Sequence, residues 1–97
     1  MNNNIVDVII IGAGPAGIST SLYTLRSGLS TMIIHNNNSN LKYAKNIQNY
    51  YGVFNVNGSS MYDFGIHQAK KLGGDILLQE VIDVAKNDEI FKVTTNY

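Results

Sequence analysis

Cysteine is absent from the 97 residues, and proline occurs once, at Pro15. A chain without cysteine has no disulfide scaffold, no Cys-based metal site and no thiol redox centre. An excess of charge of either sign is also missing. Seven Lys and Arg are balanced by seven Asp and Glu with no basic stripe, so nucleic acid is not an expected partner. No apolar run approaches the roughly 20 residues that cross a bilayer, and no membrane association is expected. Met1-Asn2-Asn3-Asn4 offers neither the basic start nor the apolar middle of a secretory signal, so the expected location is the cytoplasm. Histidine is scarce: His35 and His67 have no i, i+4 partner and no carboxylate spacing that would suggest a metal. No metal site and no catalytic side chain is expected within this stretch.

What is present is arranged around Val6–His35, which reads VDVIIIGAGPAGISTSLYTLRSGLSTMIIH. Val6, Val8, Ile9, Ile10 and Ile11 form a near-continuous β-branched run, the pattern of a strand buried on both faces of a parallel sheet. Gly12, Gly14 and Gly17 follow in G-x-G-x-x-G spacing. Ile18, Leu22, Leu25 and Leu29 then recur at helical intervals, Gly28 supplies a helix stop, and Thr31–Ile34 is a returning strand. The pattern is a β-α-β unit with a right-handed crossover. In such a unit Gly12 turns the chain out of the strand, Gly14 clears the way for a pyrophosphate, and Gly17 lets helix and strand pack closely. The helix start holds an anion through free N–H groups and its dipole. Pro15 fits the first turn, where its missing N–H costs nothing.

Beyond His35 the chain is less regular. Asn36–Asn40 is a polar loop at the carboxyl edge of the sheet, where ligands of open α/β folds bind. Leu41–Ile47 suggests one or two short helical turns, Asn49–Gly52 a turn, and Val53-Phe54 a brief extended piece. A second helix is expected over Met61–Leu72. Its start is the capping-box pattern Ser60-Met61-Tyr62-Asp63, its apolar line Tyr62, Ile66 and Ala69, and its stop Gly73-Gly74. Ile76–Leu78 reads as a third buried strand. Val81–Ala85 and Ile90–Thr95 read as an antiparallel ribbon around the turn Lys86–Glu89, half exposed because Phe91, Val93 and Thr95 alternate with Lys92 and Thr94. The fold class is therefore α/β, a partial Rossmann-type unit with a parallel sheet and an antiparallel ribbon.

The strand DVIIIGAGPAG, the turn NIQNYYG, the segment VNGSSMYDFGIHQAKKLGGDI, and LLQEV followed by FKVTT resemble the amino-terminal FAD-binding part of thioredoxin-reductase-like flavoproteins. The resemblance implies that backbone groups of Ala13, Gly14, Pro15 and Ala16 cradle the FAD pyrophosphate between Gly12 and Gly17. It also implies that Asn49 hydrogen-bonds toward the flavin side and that Val81 meets the adenine through its backbone. Beside these roles stand plainer ones, a turn-stabilising side chain for Asn49 and ordinary packing for Val81. The chain departs from the family at three points. His35 stands where an acidic residue accepts from the adenosine ribose, leaving His35 and Asn36 as the candidate ribose contacts. The Gly-Gly-Gln loop is replaced by the Asn-rich loop and Leu41–Lys45, and Tyr51 replaces a proline.

The family continues with the closing strands of the FAD domain and a second dinucleotide domain that binds NAD(P)H. Residues 1–97 are accordingly expected to be the amino-terminal portion of an FAD/NAD(P)-binding domain, a fragment of a longer chain, with the first strand left at a sheet edge. Two functions are compatible with these features. One is the FAD-holding segment of a pyridine-nucleotide-dependent oxidoreductase, homodimeric when complete and served by a thioredoxin-like or ferredoxin-like redox partner. The other is a non-catalytic module for NAD(P) or another nucleotide.

Overall fold

A computed structural model describes residues 5–52 and 55–97; the extended piece expected at Val53-Phe54 lies outside the described residues. In chain order the elements are β1 (Val8–Ile11), α1 (Pro15–Arg26), β2 (Thr31–His35), a 3-10 turn (Asn40–Tyr43), α2 (Gly58–Lys71), β3 (Asp75–Leu78), β4 (Val81–Asn87) and β5 (Ile90–Thr95). β1, β2 and β3 form a parallel sheet with β2 in the middle, and β4 and β5 form a separate antiparallel ribbon. β1 thus lies at an edge among the described strands, as the sequence predicts.

The central position of β2 decides which strand is buried. Thr31, Met32, Ile33 and Ile34 are buried, whereas β1 is only half-buried and Ile11 is exposed. The β-branched run of β1 therefore marks a sheet strand, but the strand enclosed on both faces is the Thr31–Ile34 run. Burying a side chain such as Ile33 contributes about 1.5–3 kcal/mol. Asp7 ties the two strands at their start: its carboxylate accepts from the backbone N–H (2.9 Å) and hydroxyl (3.0 Å) of Ser30.

Both helices cover one side of the sheet through a core of Ala13, Ile18, Ile33, Tyr62 and Ala69, with Leu22, Leu25, Ile66 and Ile76 packed against it. The expected line Tyr62, Ile66, Ala69 is the buried line of α2, while Phe64 and Leu72 at its margins are exposed. α1 buries a residue the apolar pattern passes over: Ser21 is fully enclosed, its hydroxyl satisfied by the carbonyl of Ile18 at 2.6 Å. The helices end alike. Gly28 and Leu29 donate to Leu25 and Thr24, and Gly73 and Gly74 donate to Lys70 and Ala69, the paired bonds of a Schellman stop.

Two expectations need correction. α2 starts at Gly58, three residues before Met61, because the side chain of Asn57 caps it by accepting from Ser59 (2.8 Å) and Ser60 (3.4 Å); the capping box at Ser60 lies inside the helix. Tertiary packing sets this start, since Gly58 N–H donates to the carbonyl of Ala44 at 2.8 Å and a side chain at position 58 would collide with the Leu41 carbonyl. The ribbon also lacks the expected alternation of burial. Ile82, Val84, Ile90 and Phe91 are all exposed, and a register shift between Val81 and Asp83 interrupts the pairing.

Candidate functional site

The site begins where β1 ends. Gly12 adopts φ +108°, a conformation that L side chains rarely take, and its N–H donates to the Ile34 carbonyl at 2.8 Å. The turn is thereby fastened to the end of β2. Gly17 is required for a different reason, because a Cβ there would collide with the Gly12 carbonyl oxygen and press on Ile10. Gly14 has no such internal reason. It is the extended N-cap of α1, and a Cβ there would meet only Ser39 Oγ at 3.4 Å, an ordinary contact.

The start of α1 carries no side-chain cap and no acidic residue in its first turn. Pro15 occupies the first helical position and has no N–H to lose, which leaves the backbone N–H groups of Ala16 and Gly17 without helical partners. Unpaired donors at the positive end of a helix dipole, beside a glycine whose absent Cβ keeps the approach open, match the requirements of a dinucleotide pyrophosphate. The geometry fits that group. An apolar groove of about 540 Å³ adjoins the turn, bordered by Gly14, Pro15, Leu22, Tyr50, Met61 and Phe64.

The loop after β2 closes the other side. Asn36 is exposed and its side-chain oxygen accepts from Asn38 N–H at 3.1 Å, so that oxygen is engaged in shaping its own loop. Ser39 caps the 3-10 turn by accepting from Leu41 at 3.2 Å. His35 is half-buried; its Nδ1 lies 2.9 Å from the Tyr62 hydroxyl and 3.2 Å from Asn37 N–H. Burial, then the neighbouring charges of Lys42 and Lys70, hold the His35 pKa below its ordinary 6.5. Burial, with Asp63 nearby, pushes the Tyr62 phenol up. The Lys42 ammonium sits 4.6 Å from the centre of the Tyr62 ring and donates to the Asn37 carbonyl (3.1 Å) and side-chain oxygen (2.7 Å).

The structure therefore gathers Gly12–Gly17, His35 and Asn36 at one end of the sheet. Asn49 lies exposed in its bend, and its side chain makes no hydrogen bond among the described residues. Val81 lies half-buried opposite Thr95 at the base of the ribbon. Sequence reasoning missed Tyr62, Lys42 and Asn37, which decide what His35 can do. Tyr62 carried a signal, since a tyrosine on a buried helix line needs a partner for its hydroxyl.

A β-α-β unit with an open, uncapped helix start at a glycine turn is the arrangement found in the Rossmann-like class of folds. A family profile described as FAD binding domain matches residues 5–49. Over 95 residues the chain is 30% identical to a thioredoxin reductase of Ureaplasma parvum, covering 96% of this chain and 31% of that protein. Over 84 residues it is 37% identical to a thioredoxin reductase of Bacillus subtilis, covering 81% and 27%. Among solved structures, a thioredoxin reductase from Gloeobacter violaceus superposes with TM-score 0.86 at 33% identity, covering 93% of this chain and 29% of that one. The enzyme from Streptococcus pyogenes gives TM-score 0.90 at 27% identity, covering 98% and 32%. The chain is similar to the amino-terminal, FAD-binding segment of thioredoxin reductases, and it spans about a third or less of the length of these relatives.

Proposed function

We propose that these residues are the FAD-holding portion of an NAD(P)H-dependent flavoprotein oxidoreductase of the thioredoxin-reductase kind, and that residues 1–97 form the amino-terminal part of its FAD/NAD(P)-binding domain. The observation that carries this reading is the uncapped, acid-free start of α1 against Gly14, whose missing Cβ serves no packing need inside the chain. Gly12, Ala13, Gly14, Pro15, Ala16 and Gly17 would hold the pyrophosphate, the N–H groups of Ala16 and Gly17 acting as donors and Pro15 fixing the helix start. His35 and Asn36 would meet the adenosine ribose, Val81 the adenine, and Asn49 the flavin side. Bound flavin would supply the hydride and electron chemistry, while the chain supplies orientation and an apolar wall. NAD(P)H would be the co-substrate, with a thioredoxin-like or ferredoxin-like redox partner, a homodimeric assembly and a cytoplasmic location.

A non-catalytic nucleotide module is the second reading, favoured by the histidine where an acid is expected. The purified full-length protein separates the two. A visible flavin spectrum that bleaches with NADPH under anaerobic conditions supports the oxidoreductase; a colourless protein that binds NAD(P) without turnover overturns it.

A further inference from the structure

One side chain from elsewhere in the fold reaches the open face of Gly14. Ser39 Oγ lies 3.4 Å from the point where a Cβ on Gly14 would stand, and, leaving aside Ala13, Pro15 and the helix backbone, no other atom of the described residues comes within 4 Å of that point. The state of this hydroxyl is defined by its neighbour. An amide N–H can only donate, so the bond from Leu41 N–H at 3.2 Å makes the Ser39 oxygen an acceptor there and leaves its own hydrogen directed elsewhere. That hydrogen has no acceptor among the described residues.

The loop that presents Ser39 is braced from several directions. Lys42 N–H donates to the Ser39 carbonyl at 3.1 Å, the Lys42 ammonium holds Asn37, and Leu41 packs against the core with its carbonyl pressed to Gly58 of α2. The hydroxyl is therefore held beside Gly14 by β2 and α2. The Ala16 and Gly17 N–H groups approach the same opening from the start of α1, and a pyrophosphate has more acceptor oxygens than two amides can engage. We propose that the Ser39 hydroxyl donates to a phosphate oxygen of FAD at the glycine turn, so that the loop after β2 and the start of α1 grip the group together. The proposal rests on the flavoprotein reading given above. It gives Ser39 two tasks, since the same oxygen that caps the 3-10 turn carries the donor.

The test is a titration of the flavin-free full-length protein with FAD, together with phosphorus NMR of the bound cofactor. Ser39→Ala should weaken FAD binding about tenfold, the scale of one charge-assisted hydrogen bond, and should shift a pyrophosphate resonance. Ser39→Thr keeps the hydroxyl and should keep both properties. Ser39→Asp still accepts from Leu41 N–H but offers no donor, so it should bind FAD more weakly than Ser39→Ala. Wild-type affinity or wild-type phosphorus resonances in Ser39→Ala overturn the inference and leave the flavoprotein reading standing. Wild-type affinity in Ser39→Asp also overturns it, reducing Ser39 to a cap. Failure of the unsubstituted protein to bind FAD overturns both together.

Discussion

The Tyr62 hydroxyl lies 2.9 Å from Nδ1 of His35, a bond between the first half of α2 and the last residue of β2. It gives a buried phenol its partner and fixes the tautomer of a half-buried imidazole. Tyr62→Phe should remove the bond while keeping the packing, and Nδ1 retains Asn37 N–H as a donor. The expected cost is about 1 kcal/mol, the usual net worth of one hydrogen bond, measured as a lower urea midpoint with an unchanged slope.

Acid should weaken the fold through His35. Its folded-state pKa lies below the 6.5 of the unfolded chain, so below pH 6.5 the unfolded state takes up a proton that the folded state refuses. The stabilisation is fully present above pH 6.5 and is lost as pH falls through the depressed folded value. Denaturation midpoints measured from pH 8 down to about pH 5 should show this decline, and His35→Gln should flatten it. A wild-type profile indistinguishable from that of His35→Gln would contradict the placement of the ring.

Gly14 and Gly17 should fail differently when substituted. Gly14→Ala places a methyl group at the phosphate approach, where it meets only Ser39 Oγ at 3.4 Å, so FAD affinity should fall by tenfold or more, roughly the worth of one or two lost charge-assisted contacts, at nearly unchanged melting temperature. Gly17→Ala meets the Gly12 carbonyl and should cost about 1–3 kcal/mol, as overpacking does. Flavin titration beside a thermal melt of each variant distinguishes the two.

These contrasts show where the sequence is informative. The path from β1 through the turn to α1 and β2 is legible because each step is local: a β-branched run, glycines at fixed spacing, a helical apolar line and a glycine stop. The start of α2 is not, because Asn57 and Ser60 are both acceptable caps. The choice falls to Gly58 packing on Leu41 and Ala44, contacts made by a segment fourteen or more residues earlier in the chain. The pairing of His35 with Tyr62 spans 27 positions and leaves no periodic trace. The ribbon follows the strand pattern in its pairing but not in its burial, since alternation predicts a covered face only where some element covers it.

Substitutions at the competing caps test that account. Asn57→Ala should cost about 1 kcal/mol, the usual worth of a cap, because it leaves the N–H groups of Ser59 and Ser60 without their side-chain acceptor. Ser60→Ala should change stability by less than about 0.5 kcal/mol, as exposed substitutions commonly do. A reversal of the two in a urea titration would move the cap to Ser60.

Residues 1–97 expressed alone should self-associate. β1 offers a free edge among the described strands, and Ile82, Val84, Ile90 and Phe91 expose apolar surface on the ribbon. Sedimentation velocity should show species larger than a monomer. Phe91→Lys combined with Val84→Lys should shift the distribution toward monomer.

β2 has a neighbour on each side, and Ile33 at its centre is 0% exposed. Backbone amides in such a strand are the last to exchange with deuterium, because they are released only when the whole sheet opens. The loop bearing Asn36, Asn37 and Ser39 hangs directly from this strand, and the Gly12 turn is bonded to it through Ile34. Local fraying at the ribbon or at the outer edge of β1 therefore leaves the end of the molecule that carries the Gly12 turn and this loop intact. On heating, release of a nucleotide held there should coincide with collapse of the sheet, so ligand dissociation and amide exposure in β2 should follow one curve.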